Sequence, residues 1–397
     1  MPPLKVRIES DFKALEAWED RWDDKVVRLG GNICMMYDWS RTWWEHYGNG
    51  RTLRIFVFES GEQLVGVVPI YIETIGIWPA RIRLARLVGA NIPPQAFDPP
   101  LEAAYGREAL MEITRELFGR DGVDLLAFGP ISAKWSAADS FREAAHSNGF
   151  MNRASWHSRD VVTVFDLPET FEEYLKTFGK EELKARLKKI RQLSSLGSVH
   201  NEILRGTAGP AEFETFLLQH AEQWNATGQR GHFADWPRAI AYHRDLVRLK
   251  NPRRELCFFR LLLDDRLMAN RYCYRAGNTI HALLPSRLVG QQWDRLGLGT
   301  TAYLKFIESG ISIGISKVNS GLGRYEYKTR LGGKQIEVGT WQITSVDGIR
   351  NFRTRIFLLL FKLALKIVRG IWYRRLQPRL PKWLGVSQSE FWLRYDI

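Results

Sequence analysis

Three β-rich segments and a glycine-containing helix entry follow one another in the second half of the chain. RELCFFRLLL, DDRLMANRYCYRAG and NTIHALLPSRL are separated by turn residues at Asp264–Asp265 and Gly277–Asn278, which predicts an antiparallel meander. DRLGLGTTAYLKFIESGI then predicts an amphipathic helix, and ISKVNSG predicts a short buried strand. A chain that leaves a sheet, forms a helix and returns to the sheet requires a mixed α/β fold.

A similar order occurs in the first half of the chain. TLRIFVF and QLVGVVPIYIET predict a hairpin, ARIRLARLVG a further strand, YGREALMEITRELF a helix and VDLLAFGPI a buried strand. The repeated order indicates an internal duplication, and 397 residues exceed one ordinary domain. We therefore predict two tandem α/β domains, residues 1–158 and 159–345, and a tail of residues 346–397.

Composition restricts the class of protein. A hydrophobic content of 45% with 25% charged residues is typical of globular proteins and excludes a mainly disordered or fibrous chain. Cys34, Cys257 and Cys273 are too few for a disulfide framework, and no Cys/His group has zinc spacing. The N-terminus lacks the apolar core of a signal peptide. We expect a cytoplasmic protein without a metal cofactor.

The net charge of +13 is concentrated in the tail. Residues 346–397 contain eleven Lys/Arg and three acidic residues, a net charge of +8, so the other 345 residues carry only +5. Nucleic acid is therefore not the expected partner. Four basic side chains of the tail helix fall within a sector of about 60°, taking about 100° per residue: Arg355, Lys362, Lys366 and Arg369. Most of the other positions around the helix are apolar.

This tail pattern predicts a helix that lies on an anionic membrane surface through residues 350–385, on the inner face of the membrane. Trp372, Tyr373 and Trp383 would be its interfacial anchors. The basic residues interrupt the apolar run before the roughly 20 residues that a transmembrane helix needs. Packing of the apolar side onto the second domain is the alternative.

The segment Arg295-Leu296-Gly297-Leu298-Gly299-Thr300 joins the meander to the helix. Glycines allow close approach of a phosphate, and free N–H groups at a helix N-terminus bind anions. Arg295, Gly297, Leu298, Gly299 and Thr300 are therefore candidate anion-binding residues, with a simple tight turn as the alternative. A dinucleotide-binding fingerprint fits less well, since it requires a parallel βαβ unit and a third glycine.

Meander, glycine-rich loop and helix together resemble the acyl-CoA core of the GNAT N-acetyltransferase superfamily. The chain is most similar to its CelD-like branch, associated with cellulose and exopolysaccharide synthesis and related to FemAB-type transferases. The resemblance covers roughly residues 39–344 and rests on the following segments: QLVGVVPIYIE, LVGANIPPQAFDPPL, FEEYLKTFGKEELKARLKKIRQL, HAEQWNATGQRGHF and GLGRYEYKTRLGG. Asp294 stands where the family loop usually has Gln or Arg, and Asn319 where it tends to have Asp.

The resemblance implies two GNAT-like domains, with acetyl-CoA bound by the second and transferred directly to a sugar or polysaccharide precursor. Members of the superfamily place a tyrosine after the strand that follows the loop helix. We expect Tyr325 of GRYEYK to protonate the leaving thiolate, with Tyr327 and Lys328 as substrate contacts. Core packing of the tyrosines and a solvated lysine form the alternative.

QHAEQW offers candidates for the general base. His220 and Glu222 are titratable, and Trp224 could present a flat surface to a sugar ring. His220 and Trp224 share a helix face at i and i+4, whereas Glu222 points elsewhere. A buried structural histidine is the alternative for His220.

The basic run from Lys180 to Arg191 leaves a second function open. It predicts either the solvated side of an amphipathic helix or a contact with an anionic ligand. In the latter case FemAB-like aminoacyl transfer from charged tRNA is the alternative activity. A third possibility is a non-catalytic, membrane-associated accessory protein of polysaccharide synthesis that has lost the cofactor.

Overall fold

A computed structural model describes residues 3–76, 78–90, 96–147, 154–206, 209–227 and 231–367, together with Ile371 and Arg375. The strands, in chain order, are β1 (Leu4–Glu9), β2 (Thr52–Ser60), β3 (Gln63–Ile75), β4 (Ile82–Leu87), β5 (Leu125–Ser132), β6 (Ala154–Asp166), β7 (Val199–Arg205), β8 (Glu255–Leu263), β9 (Arg266–Ala276), β10 (Thr279–Arg287), β11 (Lys317–Leu322) and β12 (Lys334–Thr344).

The helices alternate with these strands, as expected for a mixed α/β chain. They are α1 (Glu19–Arg28), α2 (Tyr37–Tyr47), α3 (Gly106–Thr114), α4 (Ala138–Ser147), α5 (Phe171–Lys176), α6 (Lys180–Ser194), α7 (Gly209–Ala226), α8 (His232–Asp235), α9 (Ala239–Arg248), α10 (Gln291–Arg295), α11 (Leu298–Ser312), α12 (Glu326–Arg330) and α13 (Gly348–Ile367). Within the described part of the chain, no helix is both long and apolar enough to cross a bilayer.

The chain divides into two compact units. Unit 1 comprises residues 1–159, 235–237 and 338–397, and unit 2 comprises residues 160–234 and 238–337. The first division lies one residue from the predicted one. The C-terminal end differs from the predicted arrangement, because the strand residues 338–344 and the helix α13 belong to unit 1.

The two units share the order and direction of six strands, although the sixth strand follows the other five along the chain in unit 1 and precedes them in unit 2. In unit 1 the strand order is β1-β2-β3-β4-β5-β12, and in unit 2 it is β7-β8-β9-β10-β11-β6. Each unit has an antiparallel meander whose last strand runs parallel to the next strand, β4 with β5 and β10 with β11. The predicted duplication is therefore confirmed at the level of strand order and direction.

The parallel pair in each unit is short. In unit 2, β10 and β11 pair only from Thr279–Lys317 to His281–Asn319, although β10 continues to Arg287. A register shift between Ala282 and Leu284 bends β10 just beyond this point. The two strands therefore separate in the second half of β10.

Unit 1 fills the corresponding space with its own chain. The parallel pair β4–β5 ends at Arg86–Ala127. Beyond it, the Phe97 N–H donates to the Pro130 carbonyl at 2.7 Å, and the Asp98 carboxylate accepts from the Ser132 N–H at 2.7 Å. Phe97 is fully buried. The edge that β5 no longer shares with β4 is thus satisfied by the segment around Phe97.

The helix α13 packs on unit 1. Phe357 and Phe361 are buried in a cluster with Ala80, Ile82, Leu84, Leu125 and Ala127. At the start of the helix, the Thr354 hydroxyl donates to the Arg350 carbonyl and Arg353 pairs with Asp124. The alternative prediction, that the tail packs on the second domain, is wrong for the described helix, which packs on the first. Arg369, Trp372, Tyr373 and Trp383 lie outside the described residues.

We expect Phe357→Ala to lower the free energy of unfolding of unit 1 by about 3 kcal/mol, because it removes a buried aromatic ring and leaves a cavity. Phe352 is the matched control, since it lies on the same helix and is 67% exposed. Phe352→Ala should change the free energy of unfolding by less than about 0.5 kcal/mol. Chemical denaturation of both variants measures the difference, and equal effects would contradict the packing described here.

Candidate functional site

The loop before α11 has the backbone geometry expected of a glycine-dependent helix entry. Gly297 is the N-cap of α11 and has φ +60° and ψ +39°, in the left-handed region. The N–H groups of Thr300 and Thr301 donate to the Gly297 carbonyl. Leu298 is buried and anchors the first turn. The helix therefore begins at Leu298, within the predicted glycine-containing segment.

A cavity of about 300 Å³ lies at this end of α11, within unit 2. Its walls come from the second half of β10, from β9 and from the first turn of α11. The lining residues are Gln223, Phe259, Ala269, Asn270, Arg271, Pro285, Ser286, Arg287, Gly299, Thr300, Ala302 and Tyr327. The cavity lies beside the part of β10 that extends past its pairing with β11.

Arg287 is the last residue of β10, and its side chain bonds to the segment that precedes α11. Its guanidinium donates to the Asp294 carboxylate at 2.9 Å and to the Leu288 carbonyl at 3.0 Å. Its backbone N–H donates to the Gln223 side chain at 2.9 Å. A Cβ on Gly299 would lie 3.3 Å from the Arg287 Nε. The glycine therefore lets a cationic side chain approach the first turn of the helix.

Two polar residues of β9 form the floor of the cavity. Arg271 is 8% exposed, and its guanidinium lies 4.6 Å from the Tyr303 ring centre, a cation–π contact. Asn270 donates to the buried Glu212 carboxylate at 2.6 Å, and its Oδ1 has no hydrogen-bond partner among the described residues. Burial raises the pKa of Glu212. The floor thus offers a positive charge and a free acceptor.

The two tyrosines of GRYEYK occupy different environments. Tyr325 is 53% exposed and precedes α12, whereas Tyr327 lines the cavity. Burial raises the pKa of Tyr327, which keeps its hydroxyl protonated at neutral pH. The structure therefore brings Tyr327, rather than Tyr325, to the wall of the cavity.

Lys328 is buried beneath these tyrosines. Its Nζ donates to the carbonyls of Ser320 at 2.8 Å, Leu322 at 3.3 Å and Gly321 at 3.4 Å, and burial lowers its pKa to about 8. These bonds tie α12 to the end of β11. Lys328 therefore stabilises the position of the segment that carries Tyr327.

His220 lies behind the cavity wall. Its ring packs on Phe216 and Phe233, and its Nδ1 lies 3.2 Å from the Pro285 carbonyl. This contact requires a proton on Nδ1, and Nε2 then faces the opposite side, where a Cβ on Gly231 would lie 3.1 Å away. Burial lowers the pKa of His220 to about 4. His220 is therefore neutral at pH 7 and supports Pro285.

The other predicted residues are distributed around the cavity. Glu222 is exposed on the unbroken helix α7 and does not share the face of His220, as expected from the spacing. Trp224 is half-buried, with its ring 6.0 Å from that of His220. Arg295 is exposed, and its carbonyl accepts from Lys189 at 2.5 Å. Of the predicted site, Gly299, Thr300 and Tyr327 line the cavity.

Sequence reasoning missed most of the polar wall. Four residues of this wall lie on strands, whose pattern predicts only packing: Asn270, Arg271, Ser286 and Arg287. A signal was present, because the adjacent Asn270 and Arg271 interrupt an otherwise apolar strand, and buried polar residues are uncommon. The described residues contain no group of His, Cys, Asp and Glu that could hold a metal ion.

We expect unit 2 to lose stability as the pH falls from about 6.5 to about 4. The native His220 has a pKa near 4, below its ordinary value of 6.5, so the unfolded chain binds more protons in this range. Between pH 7 and pH 5 the free energy of unfolding should fall less in His220→Gln than in the unmodified chain, by on the order of 1 kcal/mol. Chemical denaturation at both pH values measures it. The exposed His200 is the control; an equal effect of His200→Gln would contradict the assignment.

Part of the chain matches a known family model. Residues 183–329 match the family model described as an acetyltransferase (GNAT) domain. No curated protein matches the chain.

The chain is similar to several solved structures at low sequence identity. The structure titled FemX has 10% identity and a TM-score of 0.58, covering 87% of this chain and 98% of that one. A conserved protein of unknown function from Bacteroides thetaiotaomicron has 10% identity and a TM-score of 0.51, covering 87% and 100%. A tandem GNAT protein from the clavulanic acid biosynthesis pathway has 13% identity and a TM-score of 0.42, covering 87% and 100%.

The sequence match and the topology of unit 2 agree. Both assign the same meander, glycine loop and helix to one domain, and the mixed α/β fold predicted from the sequence is confirmed. Residues 183–329 thus form an acetyltransferase domain of the GNAT type, and the chain is an acyltransferase.

Proposed function

We propose that the chain transfers an acetyl group from acetyl-CoA directly to an acceptor, and that unit 2 binds the acyl-CoA. The observation that carries the proposal is the cavity at the N-terminal end of α11, with Arg271 and Arg287 in its wall. Among the described residues that line it, there is no acidic side chain. An anionic ligand therefore meets positive charge and helix-end N–H groups in one place.

The two units differ in their suitability for this ligand. In unit 2 the second half of β10 borders open space. In unit 1 the segment around Phe97 bonds to β5 at the corresponding position. This difference favours one acyl-CoA site per chain, in unit 2.

The wall residues fit the parts of an acyl-CoA. The first-turn N–H groups at Gly299 and the Arg287 guanidinium suit the pyrophosphate. Asn270, with its free Oδ1, suits an amide N–H of the pantetheine arm. Phe259 and Ala302 supply apolar surface for the methylene groups. The cavity thus offers charge, hydrogen bonding and apolar contact in one wall.

Tyr327 supplies the proton for the leaving group in this proposal. The acceptor nitrogen or oxygen attacks the thioester carbon, the new bond to carbon forms, and the carbon–sulfur bond breaks. The departing thiolate takes the Tyr327 hydroxyl proton, and the tyrosinate regains the proton that the acceptor releases. A raised pKa keeps Tyr327 protonated before the reaction.

A sugar or polysaccharide precursor is the acceptor that we propose, in line with the CelD-like resemblance of the sequence. Trp224, half-buried next to His220, is available for a sugar ring. Trp224 lies near the cavity, because its neighbour His220 contacts Pro285 and Pro285 lines the cavity. A cellulose or exopolysaccharide pathway would use such an activity.

Aminoacyl transfer from charged tRNA is the second candidate, and the helix α6 favours it. Lys180, Lys184, Lys188 and Arg191 are exposed on α6. Lys189, on the same helix, bonds to the carbonyl of Arg295 beside the α11 loop. A basic helix next to the cavity is suitable for an RNA backbone. Competition between acetyl-CoA and charged tRNA for unit 2, measured across salt concentrations, separates the two activities.

We expect Arg287→Gln to weaken acetyl-CoA binding by about tenfold or more, because a charge-assisted hydrogen bond to phosphate is lost. Isothermal titration calorimetry measures the affinity. Arg295→Gln is the matched control, because Arg295 is exposed outside the cavity. This variant should bind acetyl-CoA with nearly unchanged affinity. Acetyl-pantetheine, which lacks the pyrophosphate, should bind both proteins equally. No heat of binding with the unmodified chain would refute the proposal.

We expect Tyr327→Phe to lower kcat by about a hundredfold, with little change in acetyl-CoA affinity, because the general acid is removed. Tyr325→Phe removes the same hydroxyl from the exposed neighbour and should retain most activity. Steady-state kinetics on both variants measures the difference. The reverse result would place the acid at Tyr325, and two fully active variants would exclude both.

A further inference from the structure

One face of α13 combines exposed apolar residues with basic ones. Five apolar side chains of the helix are between 49% and 68% exposed, although the helix is packed on unit 1 through Phe357 and Phe361: Phe352, Leu359, Leu360, Leu363 and Ile367. Isolated exposed hydrophobic residues are ordinary, but a contiguous stripe marks an interaction surface.

The arrangement of these residues around the helix is regular. At about 100° per residue, the exposed apolar residues cover an arc of roughly 100°. Arg355, Lys362 and Lys366, all exposed, occupy an adjacent arc of roughly 40°. The buried Thr354, Phe357 and Phe361 lie opposite. The helix thus has three faces: packed, apolar and basic.

The charge of this surface is of one sign. No acidic residue occurs between Asp347 and Glu390, so the charged side chains of α13 are all basic. Apolar and basic residues side by side on one helix are typical of an interfacial helix at an anionic bilayer, where the apolar arc enters the acyl region and the cations contact lipid phosphates.

The turn between β3 and β4 adds an aromatic residue beside the helix. Trp78 is 87% exposed in this turn, and the neighbouring Gly76 packs so closely that a Cβ there would lie 3.2 Å from the Phe357 ring. Tryptophan is enriched at the membrane–water interface. The turn that carries this exposed tryptophan therefore packs against Phe357 of α13.

From these observations we infer that unit 1 docks on an anionic lipid bilayer through the exposed face of α13. This inference concerns where the protein acts and is independent of the proposed acyl transfer, since all residues of the surface lie in unit 1.

The full-length chain should co-sediment with vesicles of phosphatidylcholine and phosphatidylglycerol far more than with phosphatidylcholine alone. Binding should fall as salt is raised, because the basic residues are screened. Leu359→Gln with Leu363→Gln should lower the bound fraction more than tenfold. Leu218→Gln, on the exposed side of α7 with 69% exposure, is the control and should bind like the unmodified chain.

A second pair of variants tests the charge. Arg355→Gln, Lys362→Gln and Lys366→Gln together should abolish the preference for phosphatidylglycerol. Lys180→Gln, Lys184→Gln and Lys188→Gln change the net charge equally on α6 and should keep it. Circular dichroism checks that each protein is folded.

The inference fails if the unmodified chain ignores phosphatidylglycerol vesicles, or if the α6 variants lose binding as fully as the α13 variants. It also fails if the leucine variants bind vesicles normally and instead disrupt a dimer seen by size-exclusion chromatography, since a second copy would then cover the face.

Discussion

The early end of the parallel pair between β10 and β11 is the constraint on which the site depends. A sheet normally satisfies its backbone groups across its full length, and each group left over needs another partner. In unit 2 the strands part after three pairs, which exposes the second half of β10 to the cavity at α11. The polar wall, the helix end and Tyr327 all border this one separation.

Unit 1 has the same short parallel pair, but there another segment of the chain bonds to the freed strand. Its β4 and β5 also part after three pairs, but Phe97 and Asp98 bond to β5 beyond that point. The duplicated topology therefore yields one open and one occupied space. A shared fold does not imply a shared site, because function depends on the residues that line the space.

The sequence predicted the meander, its turns and the glycine entry of α11, since these are local patterns. Asp264 and Asp265 indeed adopt left-handed backbone angles at the turn. It did not predict Arg287 or Asn270 as site residues, because their role depends on the separation of two strands. Neither could the pattern distinguish Tyr325 from Tyr327, two residues apart, or show that Lys328 points to three backbone carbonyls.

The return of the chain to unit 1 affects the order in which the protein can be assembled during synthesis. Domains usually fold as units from the N-terminus, yet unit 1 needs the β12 residues 338–344 beside β5 and α13 over Ala80 and Leu84. These segments leave the ribosome after all of unit 2. Unit 2 can therefore be complete while unit 1 still exposes an unpaired edge of β5 and an uncovered apolar cluster, which are sites where a chaperone would bind.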